Sequence, residues 1–122
     1  MHVELVDAAS GHMVTRTLLA DTGAGGLEAP FELILRVSDC ERYMGLRSSD
    51  DVQLGGAIVG TYPIYALQVE IPALSYARRA RVVAVPDAAC PAGLDGIAGF
   101  RFLSLFTYGN FGDRHRFGLE TV

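Results

Sequence analysis

The stretch TLLADTGAGG, residues 17–26, decides how the rest of the sequence is interpreted. Its apolar run ends at Asp21, and after Thr22 come four small residues, three of them glycine. Such residues favour an Asx-type turn between two strands. They also let backbone N–H groups approach the Asp21 carboxylate, because no bulky side chain stands in the way. The stretch therefore predicts either a plain solvated turn or a carboxylate held against the backbone for chemistry.

The composition indicates one domain, residues 1–122, and half of the residues are hydrophobic, which is enough for a core. A formal net charge of -4 gives no basic surface, so nucleic acid is not an expected partner. The sequence has no run of about 18 apolar residues, so no membrane segment is expected. Cys40 and Cys90 are far apart and lack CxxC spacing, so we expect reduced thiols rather than a disulfide or a metal site. The cytoplasm is the expected location.

Alternating apolar residues predict an all-β fold. Turn signals, such as the SSDD run at 48–51, separate the alternating segments, which cover residues 3–5, 13–20, 31–37, 64–71 and 80–86. In GFRFLSLF, by contrast, Phe102, Leu103 and Phe106 share a helical face, which predicts one short helix at about residues 100–107. A last strand is expected around Arg116–Glu120. The arginines of YARRARVV (Arg78, Arg79 and Arg81) are interpreted as a solvated strand edge that discourages sheet pairing.

A second motif bears on the choice between turn and catalytic carboxylate. The stretch LDGIAGFRFLSLF, residues 94–106, places Ile97-Ala98-Gly99 directly before the predicted helix. Together with LLADTGA, residues 18–24, it resembles the retropepsin-like aspartic proteases, which carry an apolar pair, Asp-Thr-Gly-Ala and a later apolar-apolar-Gly segment that opens a short helix. The resemblance runs from about Thr15 to Glu120, and the two motifs are its specific part. It implies a closed β domain with one short C-terminal helix.

The resemblance also implies a role for each matching residue. Asp21 is the expected catalytic aspartate, Thr22 is expected to hydrogen-bond to the partner's catalytic loop, and Gly23 to contact the substrate backbone. Ala24 belongs to the supporting loop, and Gly99 lets the helical segment approach it. In pepsin-like relatives the position of Ala24 is often Ser or Thr, whose hydroxyl stabilises the ionised carboxylate. Without it we expect activity at weakly rather than strongly acidic pH.

The segment LGGAIVG, residues 54–60, sits where the family carries its flap, a glycine-rich hairpin that closes over the substrate. The substrate-binding residues implied by the resemblance are Gly25 and Gly26 after the catalytic turn, and Leu54, Gly55, Gly56, Ala57 and Ile58 in the flap. Retroviral members often have Asp directly after the Ala, where this chain has Gly25. The segment of residues 28–51 has no clear counterpart in the shortest members.

The chain contains no second Asp-Thr-Gly or Asp-Ser-Gly. A single copy in a chain of this length resembles the retroviral arrangement, in which two identical chains each give one aspartate on a two-fold axis. Two close carboxylates share one proton, so one accepts a proton from water while the other donates one to a carbonyl. The implied function is an aspartic endopeptidase, a homodimer acting on peptide or protein substrates without a metal or other cofactor. The N-terminal strand and the RHRFGLETV end, residues 114–122, are the candidate interface strands by family analogy.

Two other functions stay open from the sequence. A retropepsin-fold dimer that binds peptides or serves as an assembly module, without cleaving, would keep Asp21 as a structural acceptor. A monomeric β-barrel binding module would match the motifs by chance. An Asp21→Asn variant distinguishes cleavage from binding, because it removes the negative charge with nearly the same shape.

Overall fold

The computed structural model describes residues 1–43 and 45–122, which fold mainly into β-strands. In chain order the elements are β1 (His2–Val6), β2 (Met13–Ala20), β3 (Leu33–Arg36), α1 (Val37–Arg42), β4 (Leu46–Leu54), β5 (Gly60–Ile71), β6 (Tyr76–Val85), β7 (Gly96–Ala98), α2 (Phe100–Leu103), β8 (Phe106–Gly109) and β9 (Gly118–Thr121). Short 3-10 turns lie at Pro72–Leu74 and Asp87–Ala89. Within the described residues, no helix has the length and apolarity that crossing a bilayer demands.

Six strands close into a barrel in the order β1-β2-β7-β3-β6-β5, with β5 pairing back onto β1. Closure gives hydrogen-bond partners to the backbone groups at both edges of the sheet. β4 extends the sheet beyond β5, and β8 and β9 form a separate antiparallel pair. The all-β class predicted from the alternating pattern is confirmed.

The core fills the barrel with alternate residues of its strands. On β5, for example, Leu67 and Val69 are fully buried while their neighbours Ala66 and Gln68 are half-buried. Each fully buried side chain of this size stabilises the fold by about 1.5–3 kcal/mol. From α2, Phe102 adds a ring that packs edge-on to the ring of Tyr76, with centroids 5.4 Å apart.

Three expectations about the secondary structure are wrong. The structure has a second helix, α1, where the apolar pattern of residues 31–37 predicted a strand continuing to Val37. The SSDD run lies inside β4 rather than in a turn, because β4 is an edge strand whose polar side chains face solvent. α2 ends at Leu103, short of residue 107, and Phe106 already belongs to β8.

Two ion pairs connect elements that are distant in the sequence. Arg16 on β2 donates two hydrogen bonds of 2.9 Å to the carboxylate of Asp39 on α1, which fixes that helix against the barrel. The Asp39 hydrogen bonds raise the pKa of Arg16, and the Asp39 side chain is only 6% exposed. Asp95 contacts Arg36 at 2.9 Å and accepts the Thr17 N–H at 2.8 Å, which sets β7 beside β2.

We predict that Tyr76→Phe keeps or raises stability. Among the described residues, the Tyr76 hydroxyl is buried without a hydrogen-bond partner, so its removal should stabilise by up to about 1 kcal/mol. Burial raises the pKa of Tyr76 from 10.0 to about 12, so the unfolded chain ionises first and stability falls as the pH rises between those values. Chemical denaturation from pH 7 to 12 should show a weaker alkaline loss in the variant.

Tyr108→Phe is the matched control, because Tyr108 lies at the surface of β8 and the substitution removes the same hydroxyl. If Tyr76→Phe were less stable than the wild type at pH 7 and Tyr108→Phe were unchanged, the Tyr76 hydroxyl would have a hydrogen-bond partner, contrary to the structure.

Candidate active site

Parallel pairing of β2 with β7 brings the two sequence motifs together. Leu18 is opposite Gly96 and Ala20 is opposite Ala98, so both strands end at the same edge of the sheet. Asp21 follows β2 and Gly99 follows β7, and the Asp21 N–H donates to the Ala98 carbonyl at 2.9 Å. The register of two parallel strands thus places Asp21 beside the apolar-Gly segment.

The Asp21 carboxylate is held by the backbone of its own turn. The Gly23 N–H donates to Oδ1 at 2.9 Å, and the Ala24 N–H donates to the Asp21 carbonyl at 3.1 Å. This is an Asx-type turn. The sequence predicted either a turn or a carboxylate held against the backbone, and in the structure the same residues form both. The Asp21 side chain is half-buried, which leaves it accessible from a cleft described below.

Gly99 supports the Asp21 turn from beneath. Its N–H donates to Glu32 at 3.0 Å, and the next N–H, of Phe100, donates to the Ala24 carbonyl at 3.0 Å. A Cβ at Gly99 would lie 2.7 Å from the Ala24 carbonyl oxygen, closer than real Cβ contacts come. Only glycine therefore permits this approach without moving the backbone.

Two arginines hold the rest of the connection from β2 to β3, residues 21–32, which we call the aspartate loop. Arg101 on α2 donates to the Ala29 carbonyl at 2.7 Å, and Arg81 on β6 donates to the Pro30 carbonyl at 2.8 Å. The interpretation of Arg81 as part of a solvated edge is wrong, because its side chain is bound to this loop. Arg78 and Arg79 are exposed, as expected.

A hairpin covers the Asp21 turn. β4 and β5 pair up to Leu54 opposite Gly60, and the covering hairpin (residues 54–60) carries a five-residue loop between them. The cleft between this hairpin and the aspartate loop has a volume of about 440 Å³. Its walls include most of the residues singled out from the sequence: Asp21, Gly23, Ala24, Gly25, Leu54, Gly55, Gly56, Ala57 and Ile58.

One side of the cleft is apolar, and the sequence motifs did not indicate most of its residues. Phe31, Ile34 and Ile97 line the cleft and belong to a buried cluster with Val83 and Val85, which we call the apolar wall. Leu54 and Ile58 of the covering hairpin pack against this wall. These residues come from four different strands and two loops, so no local pattern in the sequence brings them together.

Three residues expected at the site do not line the cleft. Thr22 and Gly26 are exposed on the aspartate loop, and Gly99 is buried below it. Gly25 does line the cleft. Its φ is +73°, and a Cβ at this position would lie 3.0 Å from Ala29 Cβ, so any side chain would be strained. An aspartate at this position would be strained by the same backbone conformation.

Cysteine chemistry is not available at this site. Both cysteines are free, Cys40 is buried and Cys90 half-buried. Burial raises the pKa of Cys40 to about 12 and also raises the pKa of Cys90, which disfavours the nucleophilic thiolate. Across residues 1–43 and 45–122, no three His, Cys, Asp or Glu side chains are grouped closely enough to hold a metal ion.

Comparison of the chain with models of protein families, with curated protein sequences and with solved structures gives no match. Function is therefore inferred from the Asp21 turn, the close contact of Gly99 with the aspartate loop, and the covered cleft.

We predict that Gly99→Ala destabilises the protein and displaces the Asp21 turn. The added Cβ meets backbone rather than a flexible side chain, so the cost should be about 1–3 kcal/mol. Gly26→Ala is the matched control, since no described atom lies within 4 Å of a Cβ there, and its change should stay within about 0.5 kcal/mol. Denaturant unfolding measures both. Equal stabilities for the two variants would show that the loop and β7 do not pack this closely.

Proposed function

We propose that this chain is one protomer of a homodimeric aspartic endopeptidase, in which a water molecule is activated between two Asp21 carboxylates. The observation that carries the proposal is the position of Asp21 in a covered cleft, with its carboxylate held by the Gly23 N–H at 2.9 Å. The close contact of Gly99 and Phe100 with the aspartate loop supports it, because it holds the Asp21 turn from outside the cleft.

The proposed reaction is the general acid–base hydrolysis of a peptide bond. The two carboxylates share one proton, because like charges at close range resist ionising together. The ionised carboxylate takes a proton from water as the water oxygen attacks the carbonyl carbon, and the protonated carboxylate donates to the carbonyl oxygen. Collapse of the tetrahedral intermediate, with a proton passing to the nitrogen, breaks the C–N bond and restores the shared proton. This route requires no metal, nucleotide or covalent intermediate.

The substrate class follows from the shape and lining of the cleft. Phe31, Ile34 and Ile97 offer an apolar surface close to Asp21, which fits an apolar side chain next to the scissile bond. The covering hairpin offers backbone groups to an extended peptide, which can bind as an added strand. We therefore propose extended peptide segments with apolar residues flanking the cleaved bond as substrates.

A second copy of the chain is needed because each chain contributes one carboxylate of this kind. The N-terminal strand, a candidate interface strand from the sequence, is a poor one: Glu4, Leu5 and Val6 pair with β2 on one side and β5 on the other. The C-terminal pair β8–β9 is the better candidate. A two-stranded pair is marginal alone, and Tyr108 and Phe117 present exposed rings on it.

We predict that purified protein cleaves members of a peptide library between about pH 3 and 7 and that Asp21→Asn lowers the rate by at least roughly a hundredfold. The variant keeps the shape of the turn but cannot share the proton. Glu41→Gln is the matched control, because Glu41 is an exposed carboxylate on α1. Mass spectrometry of the products gives the rate and the cleavage site. Equal cleavage by wild type and Asp21→Asn, or none by a folded wild-type dimer, would refute the proposed activity.

We predict that activity depends on association of two chains. Specific activity should fall over a roughly thousandfold dilution, because each monomer holds half of the carboxylate pair. Excess Asp21→Asn chains should inhibit the wild type by forming mixed dimers with one carboxylate. Excess Glu41→Gln chains should not inhibit. Constant specific activity on dilution, with monomers in sedimentation, would contradict the dimeric mechanism.

A further inference from the structure

Tyr62 on β5 connects the covering hairpin to the body of the protein. Its hydroxyl donates to the Val59 carbonyl at 2.6 Å, three residues back in the hairpin loop. Its ring is half-buried and packs against the cluster formed by the apolar wall. One side chain thus touches both the end of the hairpin loop and the apolar cluster that lines the cleft.

The backbone next to Tyr62 is shaped to admit this contact. Gly60 has a φ of +139°, a conformation that favours glycine. A Cβ at Gly60 would lie 2.8 Å from the Tyr62 hydroxyl oxygen and 2.9 Å from Cζ. The ring therefore lies directly over Gly60, and the missing side chain leaves the space through which the hydroxyl reaches Val59.

The rest of the hairpin loop has little else to hold it. Gly55 and Gly56 are exposed, and no described atom lies within 4 Å of a Cβ at either position. Val59 is 70% exposed, so its side chain gives the loop little packing. Ile58 packs on the apolar wall, and the Tyr62 hydroxyl makes a polar contact with Val59, the last residue of the loop. Glycines carry the largest backbone entropy, so a loop of this composition opens easily unless it is tied.

We propose that Tyr62 is a positioning residue that ties the β5 end of the hairpin loop over the cleft before any substrate arrives. Its hydroxyl fixes the Val59 carbonyl, its ring rests on the same apolar cluster that faces the substrate, and it touches no reacting atom itself. The tie is a property of the fold. Its effect on catalysis rests on the proposed function.

The tie has a defined kinetic consequence. When the hairpin is ordered for only part of the time, the apparent affinity for substrate falls by that fraction. Once the substrate is bound, its contacts hold the hairpin in place and the chemical step is unchanged. Loss of the Tyr62 hydroxyl should therefore raise KM and leave kcat nearly constant, whereas a general loss of folded protein would lower kcat.

The test of the tie is hydrogen exchange of the backbone amides of residues 52–54 and 60–62, which pair across the base of the hairpin, measured without substrate. Tyr62→Phe keeps the ring and removes the hydroxyl, so the protected amides among them should exchange roughly threefold to tenfold faster, as the loss of one net hydrogen bond implies. Tyr65→Phe is the matched control, since Tyr65 is on the same strand and is buried in the main core. Unchanged exchange of residues 52–54 and 60–62 in Tyr62→Phe would overturn the proposal.

Kinetics on a peptide selected by the library then test the effect on the site. KM should rise by roughly threefold to tenfold in Tyr62→Phe with kcat within about twofold, and Tyr65→Phe should match the wild type. A drop in kcat at constant KM would overturn the positioning role. The two proposals fail separately: faster exchange with an inactive wild-type protein would refute the peptidase and support the tie.

Discussion

The approach of two backbones without a side chain between them is the constraint on which the rest of the site depends. Gly99 lies close enough to the aspartate loop that a single added carbon would meet the Ala24 carbonyl oxygen at 2.7 Å. That approach is possible because β2 and β7 run parallel and end together. The Asp21 N–H donates to the Ala98 carbonyl, and the Asp21 carboxylate accepts a hydrogen bond from the Gly23 N–H. The position of the carboxylate is fixed by the main chain rather than by its neighbours' side chains.

Closure of the barrel limits where anything else can bind. In residues 1–43 and 45–122, β1 pairs with β2 on one side and β5 on the other, so the six-strand order has no free edge strand. The outer edge of β4 and the β8–β9 pair stand outside this closed order. β4 continues into the covering hairpin, which serves the cleft, while β8–β9 carries exposed rings. The fold thus separates the cleft, where the proposed substrate would bind, from the pair that the proposed dimer would use.

The sequence predicted the parts of the structure that local pattern determines. Alternation located β1, β2, most of β5 and β6, and the small residues around Asp21 marked the turn at the cleft. It did not predict α1, because that helix is held by the Arg16–Asp39 pair across 23 residues rather than by a helical apolar face. Nor did it predict the apolar wall, whose members are adjacent only after the barrel closes. Arg101 and Tyr62 were missed because each bonds a backbone carbonyl, which leaves no mark in the sequence.

In the proposed mechanism, the cleft of one chain holds half of the acid–base pair. The Asx-type turn satisfies one oxygen of the Asp21 carboxylate by a backbone N–H, and the aspartate is half-buried rather than sealed in the core. The proposed hydrolysis needs a second group whose protonation state differs from that of the first. In the proposed dimer, two-fold symmetry would supply that group without a second motif in the sequence, because two facing carboxylates share one proton. The small residues around Asp21 would then allow two such turns to meet.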